Sequence, residues 1–520
     1  MTVPQMQDND SKGTVRRPNI LLITSDQHRG DCYGFEGRKV KTPHLDMLAR
    51  DGTRFSTCIT PNVVCQPSRA SMLTGLLPSS HGVSDNGIDL PESTGEAGFA
   101  GTLSRAGYAT AMIGKAHYST YFTFTPTGTP ECIQSSANFG AKWTGPYMGF
   151  EKADMMLLGH NHWLPFRAPQ GLHYEHWYHS DGRGDEKDRM YAGYTPRTPA
   201  PQTFHSQLPE AWHNSTWVGN QTIDFIRANR DQPFCAWASF PDPHHPFDAP
   251  EPWSKLHDAE EVDIPEHRTR DLDRRPWWHR AAIENLPKLS GDLLKLRSEY
   301  SRIPELTENQ LRELTANYYG MISLIDHNVG RILTELHDQG LADNTIVIFT
   351  TDHGDWLGDH GLVLKGPMMY DGLLRVGMLI RGPGIPAGGI IRDPVSTVDL
   401  FSTILDYAGV TAENATDSRS VRPLIEGKEN RDFAYNEWDL RGGRVGVELD
   451  LRTVRTHRYR MTLEMGSKAG ELYDLQEDPK EMVNRYGDPS YEVAQRELTD
   501  MIHEGRKGLP MPQLPVVGTA

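Results

Sequence analysis

Four apolar runs in this chain each stop in residues that carry chemistry, and this repeated pattern restricts the fold more than any other feature. Residues 19–24 run into Ser25-Asp26-Gln27-His28, and residues 108–113 into Gly114-Lys115-Ala116-His117. Residues 234–240 run into Pro241-Asp242-Pro243-His244-His245, and residues 345–350 into Thr351-Asp352-His353-Gly354-Asp355. Continuous apolar runs of this length read as strands buried on both faces of a parallel sheet. In open α/β sheets the carboxyl ends of the strands border the binding crevice. Asp26, Lys115, His117, His244, Asp352 and His353 are therefore expected along one edge of one sheet.

The rest of the chain supplies helices to cover such a sheet. From residue 308 to 339 the positions Leu311, Leu314, Tyr318, Ile322, Ile325, Val329, Ile332 and Leu336 recur at steps of three and four, which predicts a long amphipathic helix closed by Gly340. Shorter helices are expected over 99–106 and over 397–408, the latter with Ser396 as N-cap and Gly409 as its stop. A further strand is expected over 376–380. Beyond about residue 412 the texture changes to short strand-like pieces, 451–456, 459–463 and 471–475, followed by a surface helix over about 491–506. The closing Pro-rich residues are expected to lie along the surface or extend to a partner.

The expected fold is therefore α/β: a large mixed, mostly parallel sheet flanked by helices in a catalytic domain over 18–411, and a smaller C-terminal antiparallel sheet subdomain with a tail over 412–520. Two segments with few regular signals, 119–209 and 250–304, read as lid-like insertions. Trp143, His160, His162, Trp163, His173, Trp177 and Tyr178 in the first are candidates to line a pocket for an aryl or sugar ring, though lid aromatics often only pack.

Charge narrows the partners. The chain of 520 residues has 53 Lys+Arg against 69 Asp+Glu, a formal net charge of −16, which argues against a dedicated nucleic-acid binder. A focused positive pocket within an acidic protein can still take a sulfate or phosphate ester. Residues 1–17 hold no apolar stretch long enough for a secretory signal, and no later run is long enough to span a membrane, so a cytoplasmic location without a membrane partner is expected. The odd number of cysteines, Cys32, Cys58, Cys65, Cys132 and Cys235, lacks the spacing of a disulfide framework, and all but Cys65 read as packing residues.

Cys65 stands apart because of its neighbours. In Cys65-Gln66-Pro67-Ser68-Arg69-Ala70-Ser71-Met72-Leu73-Thr74-Gly75 a thiol sits just ahead of a short helix, with Pro67 suited to the first turn and Gly75 to the stop. Unpaired N–H donors and the helix dipole favour negative charge there, and Arg69 adds a fixed cation one turn on. Asp26 and Asp352 with His353, and Gln27 beside them, make a hard divalent-cation site, while Arg69, Lys115 and Lys365 supply positive charge. His117 and His244 can exchange protons near neutral pH. Taken singly, each reads as well as ordinary structure: Asp26 as a helix cap, the histidines as hydrogen-bonded loop residues, Lys365 as a solvated lysine. Their convergence on one sheet edge is what joins them.

Cys-x-Pro-Ser-Arg followed by Ala-Ser-x-Leu-Thr-Gly resembles the signature of the type I, formylglycine-dependent sulfatases of the alkaline phosphatase superfamily. The resemblance runs from about Pro18 through the C-terminal subdomain and leaves 119–209 largely unmatched. It implies that Cys65 is oxidised to formylglycine by a maturation enzyme, and that the hydrated aldehyde attacks sulfur with one hydroxyl and expels sulfate with the other. It implies a divalent metal, calcium first with magnesium or manganese as alternatives, held by Asp26, Gln27, Asp352, His353 and the modified Cys65. Arg69 would hold the modified residue, Lys115 would stabilise the hydrate, and His117 would help eliminate sulfate. His244 and Lys365 would contact sulfate and assist the leaving group, with His245 taking the role of His244 if the register slips by one. Glu471-Leu472-Tyr473-Asp474-Leu475 with Asp478-Pro479 resembles the family's C-terminal strand and turn.

The pairs Asp26-Gln27 and Asp352-His353 resemble a branch that includes choline sulfatases and phosphonate monoester hydrolases. The expected function is thus hydrolysis of a small-molecule sulfate monoester, aryl, alkyl or sugar. A phosphonate monoester or phosphodiester hydrolase using the same site is the alternative, and a non-catalytic metal-dependent binding protein the third reading. Lys115 and His117 favour sulfate, since the phosphonate hydrolases carry hydroxyl-bearing residues in place of that pair. A homo-oligomer stays open.

Overall fold

The computed structural model describes residues 17–140, 142–157, 165–192, 200–300, 302–505 and 511–519. The main sheet contains β1 (Asn19–Ser25), β2 (Thr53–Ile59), β3 (Ala109–Gly114), β4 (Lys152–Met155), β5 (Phe234–Ser239), β6 (Thr345–Thr351), β7 (Arg375–Arg381), β8 (Gly389–Ile391) and β9 (Val395–Ser396). Its order is β4-β3-β5-β1-β6-β7-β2-β8, with β9 also paired to β2. β7 is antiparallel to both β6 and β2, and all other pairs are parallel. The mixed, mostly parallel sheet expected from the apolar runs is therefore present, and β3, β5, β1 and β6 lie side by side, so their carboxyl ends share one edge.

The apolar runs bury both faces, as a central parallel strand must. On one face Ile20, Leu22, Met112, Trp237, Ile346 and Ile348 pack against the helices Cys65–Thr74, Phe99–Arg105 and Leu400–Ala408. On the other, Leu21, Ile23, Ile113, Ala236, Val347 and Phe349 meet Asn214–Ala228 and the 31-residue helix Glu308–Asp338. That long helix starts at a capping box in which Thr307 Oγ1 accepts from Gln310 N–H at 3.3 Å.

Strand β2 had no continuous apolar run to mark it: Arg54 and Ser56 alternate with buried neighbours because it lies near the sheet edge. β4 falls within the segment expected to be lid-like and instead adds an edge strand beside β3.

A second sheet, β10 (Phe433–Leu440), β11 (Leu449–Thr456), β12 (Tyr459–Glu464) and β13 (Gly470–Asp474), is wholly antiparallel. One face packs on the helix Glu492–Gly505 through Leu498 and Ile502. The other packs through Trp438, Leu451 and Tyr473 on Val63, Val64 and Trp356, next to the strand ends. The closing residues do not extend away: Phe124 N–H donates to Val517 O at 2.8 Å, Val517 N–H to Gly87 O at 2.8 Å, and Thr519 is buried. Backbone pairing with two loops is stronger than anything a Pro-rich composition signals. All five cysteines are free and buried. Among the described residues no helix is long and apolar enough to cross a membrane.

Candidate active site

Cys65 is the first residue of its helix, one step later in the turn than a thiol placed ahead of it, and all ten residues Cys65–Thr74 are buried. Pro67 falls in the first turn, where its missing N–H leaves no intrahelical bond unmade. Gly75 ends the helix at φ 68°, and a Cβ there would stand 2.7 Å from the Phe401 ring. Conformation and packing both require glycine.

Around Cys65 the strand ends meet. Its Sγ lies 3.1 Å from His353 Nε2, 3.0 Å from Lys365 Nζ and 3.7 Å from Asp26 Oδ1. Ligand-type atoms of Asp26, Cys65, Asp352 and His353 all lie within 4.8 Å of one another, and all four residues are buried. Arg69 ties this cluster together: Nε donates to Asp352 Oδ2 at 2.8 Å, Nη1 to Ser239 Oγ and to Lys115 O at 2.8 Å, and Nη2 reaches Asp26 Oδ2 at 3.5 Å. Lys115 Nζ contacts Asp26 Oδ2. Lys365, less buried than these, also reaches His353 Nε2 at 3.1 Å and His244 Nε2 at 3.2 Å.

The ring protons follow from the acceptors. His353 Nδ1 faces Gly354 O at 2.9 Å and His244 Nδ1 faces His245 O at 2.6 Å, and a carbonyl can only accept. Each ring thus carries a proton on Nδ1 and turns Nε2 towards the cluster, and against its burial Asp352 and Cys65 raise the His353 pKa above the ordinary imidazole value. Of the adjacent pair, His244 lies against Lys365, while His245 stacks on His244 at 4.1 Å and approaches Gln27 Nε2 at 3.4 Å.

Gln27 is fixed by its backbone N–H to Asp352 Oδ1 at 3.1 Å and by Nε2 to Asp355 Oδ2 at 2.6 Å. Its Oε1 is buried without a hydrogen-bond partner among the described residues. An orphaned acceptor beside three oxygen- and nitrogen-bearing ligands is the donor set a hard divalent cation takes. The residues fit such an ion.

His117 is the one expected residue that stands apart. Both ring nitrogens are buried without hydrogen-bond partners among the described residues, and the ring stacks on Tyr121 at 4.3 Å. Burial, with Lys115 and Arg69 nearby, holds its pKa well below the usual imidazole range, so it is neutral.

The charges are strongly coupled. Burial raises the Asp26 carboxyl, but Lys115, Arg69 and Lys365 outweigh it and hold it ionised. Burial and Asp26 likewise push the Cys65 thiol up, and Lys115, Lys365 and His353 bring it down to about 7. A thiolate is therefore available near neutrality.

Backbone geometry at the strand ends is unusual. Gln27, His117 and Leu364 take φ of 62°, 57° and 68°, each at or next to an expected site residue. Such non-glycine positions cost about 1–3 kcal/mol each and collect at functional sites. Gly114, at φ 98°, lets β3 close on β5: Lys115 N–H donates to Ser239 O at 3.0 Å, and a Cβ at 114 would stand 2.1 Å from that oxygen. Gly114→Ala is expected to cost at least about 3 kcal/mol in urea unfolding and to lower turnover, because it displaces Lys115. Unchanged stability would show that the two strands can part there.

Three contributors were not singled out from sequence. Glu131 accepts from the backbone N–H groups of His117, Tyr118 and Ser119 and so shapes the loop after β3. No local pattern marks it. Ser239 is the polar residue within the otherwise apolar run 234–240, and Asp355 lies in the strand-end motif 351–355 without an assigned role. Of the lid aromatics, Trp143 stacks on His173 at 5.8 Å, and Trp177 and Tyr178 pack around Tyr174. His160, His162 and Trp163 lie outside the described residues.

The sulfatase family profile matches residues 18–410, and that of the N-sulphoglucosamine sulphohydrolase C-terminal region matches 358–508. The chain is 30% identical to an arylsulfatase of Clostridium perfringens over 91% of each chain. It is 29% identical to a choline-sulfatase of Rhizobium meliloti, over 94% of this chain and 86% of that one. The solved phosphonate monoester hydrolase of Agrobacterium radiobacter superposes with a TM-score of 0.73 at 26% identity, covering 94% of this chain and 95% of the other. The chain therefore belongs to the sulfatase family, within the sulfuric ester hydrolases of the alkaline phosphatase superfamily.

Proposed function

We propose that the protein hydrolyses small-molecule sulfate monoesters with a nucleophile derived from Cys65, residues 18–411 forming the catalytic domain and 412–520 a subdomain that walls it. The observation that carries this reading is the meeting of Cys65 Sγ with Asp26, Asp352 and His353 ligand atoms within 4.8 Å, beside Lys365. In this reading a formylglycine-generating enzyme converts Cys65, and Asp26, Gln27, Asp352, His353 and the modified Cys65 would hold a divalent ion, calcium first. The bound ion would supply Lewis-acid polarisation of the ester oxygens.

The protein's own groups divide the work. Arg69 fixes Asp352 and the Lys115 carbonyl, so that two strand ends keep their register on the helix. Lys115 neutralises Asp26 and holds the nucleophile's surroundings positive. His244 Nε2 orients Lys365, whose ammonium stabilises charge on the departing oxygen. In this reading His117, neutral and stacked on Tyr121, is the base that takes the proton when sulfate is expelled.

Mass spectrometry of the Cys65 peptide, from protein made with the maturation enzyme, is expected to show the aldehyde. Unmodified cysteine with undiminished turnover would refute the reading. Chelation is expected to lower turnover more than about a hundredfold, and the cation that restores it identifies the metal. Full activity after exhaustive chelation would remove the metal from the proposal. The likeness to a phosphonate monoester hydrolase favours a second measurement, kcat/KM for aryl sulfate against phosphonate monoester and phosphodiester. Lys115 and His117 predict that sulfate is preferred, and a larger value for either phosphorus ester would reverse the assignment. Tight binding of a sulfate ester without turnover would indicate a binding protein.

A further inference from the structure

A cavity of about 250 Å³ opens beside the Cys65 helix, between residues 85–88, the 288–297 stretch, residues 441–444 and residues 516–519. Its floor is joined to the active site: Gln66 N–H donates to Asn86 Oδ1 at 3.0 Å, and Gly87 N–H donates to Gln66 Oε1 at 3.0 Å. Four cations line it, Lys288, Arg297, Arg441 and Arg444. The acids around them are engaged elsewhere in the wall. Asp85 accepts from Arg444 Nε at 2.7 Å, and Glu448 lies 3.5 Å from Lys288.

Arg297 has no such relief. It is 8% exposed, its Nε is buried without a hydrogen-bond partner, and no carboxylate lies within ion-pair distance among the described residues. Arg444 Nη2 and Thr519 Oγ1 are likewise buried without hydrogen-bond partners among the described residues. Burial and the like charge of Arg444 pull the Arg297 guanidinium down to about 9, with Asp85 and Cys65 acting the other way. An unpaired buried guanidinium is costly. It is retained where an anion completes it, and a guanidinium fork takes a carboxylate or sulfate through two parallel hydrogen bonds.

We propose that this cavity is a second anion subsite, and that the preferred substrates are sulfate esters whose alcohol part carries a carboxylate or a second sulfate, seated between Arg297 and Arg444. The inference rests on the sulfate-ester reading for the position of the first anion at Cys65. It supplies what that reading lacks, the chemistry of the organic half. The segment 516–519 roofs the subsite and contributes the Thr519 hydroxyl.

The test is calorimetric titration of the full chain with phenylmethanesulfonate, whose methylene stands for the ester oxygen, and with its meta and para carboxylate and sulfonate derivatives. At least one dianion is expected to bind about tenfold or more tighter than the monoanion. The carboxylate and sulfonate arms show which second anion is preferred. In Arg297→Met and in Arg444→Met the ratio is expected to collapse to within about twofold of unity. Ligand-free Arg297→Met is expected to melt no lower than the wild type, because an uncompensated charge has been removed. A ratio near unity in the wild type, equal weakening of both ligand types in the variants, or a lowered midpoint in Arg297→Met would overturn the proposal. Turnover of phenyl sulfate is measured alongside. No turnover with a preserved ratio would refute the sulfatase reading and leave the anion subsite standing.

Discussion

Cys65→Ala is expected to reduce sulfate-ester turnover by at least about 10⁴-fold, the scale on which a covalent nucleophile contributes, with the fold retained. The side chain is small and Sγ is its single functional atom, so the variant deletes chemistry with little volume. Within the site Sγ is approached by Lys365 at 3.0 Å and His353 at 3.1 Å, neither of which loses its other partners when sulfur is removed. Destabilisation should therefore stay near about 1 kcal/mol, the size expected for losing a small buried group. Cys65→Ser sharpens the result. A serine hydroxyl could attack sulfur once, but it has no second hydroxyl to expel sulfate from the ester formed, so this variant should fall nearly as far as alanine and accumulate a sulfated protein. Steady turnover by Cys65→Ser within tenfold of the wild type would mean that the nucleophile is not built from the thiol, and the proposed mechanism would fail.

How far the site could be read from sequence depended on the kind of signal each residue sits in. Asp26, Lys115, His244, Asp352 and His353 follow apolar runs, and a parallel sheet brings such positions together by its geometry alone. Their meeting around Cys65 follows from that rule. Glu131 is in the opposite position: it organises the loop carrying His117 through three backbone N–H groups, yet it lies in a stretch with no periodicity and acts through chain folding. The same holds for β4, a four-residue edge strand too short for a pattern, and for β2, whose half-buried Arg54 and Ser56 hide its apolar face. Residues 516–519 were legible only as the end of a Pro-rich tail, because their backbone pairing with residues 87 and 122–124 is a tertiary fact. Arg297 is the sharpest case, since a lone arginine in a charged segment reads as solvated until its burial is known.

Asp26→Ala is expected to be the most destabilising single change at the strand ends, costing about 3–5 kcal/mol in addition to abolishing turnover. Asp26 is fully buried, its carboxylate contacts Lys115 Nζ and lies 3.5 Å from Arg69 Nη2, and the opposing cations hold it ionised. Alanine takes that carboxylate away from two buried cations at once. Arg69 keeps Asp352 at 2.8 Å, so the larger part of the penalty falls on Lys115. The penalty is therefore expected to shrink when the cation goes too: Asp26→Ala with Lys115→Met should be less destabilising than the sum of the single changes by about 1–3 kcal/mol. Urea unfolding of the four proteins measures this coupling. Additivity within about 0.5 kcal/mol would mean that the pair is already well solvated or otherwise compensated, and that the positive charge around Cys65 does not depend on Asp26. Turnover separates the two roles assigned to this carboxylate. Because Asp26 is also a proposed metal ligand, the double variant should recover stability without recovering activity. Recovery of both would reduce Asp26 to a counter-ion for Lys115 and move metal binding to the remaining residues.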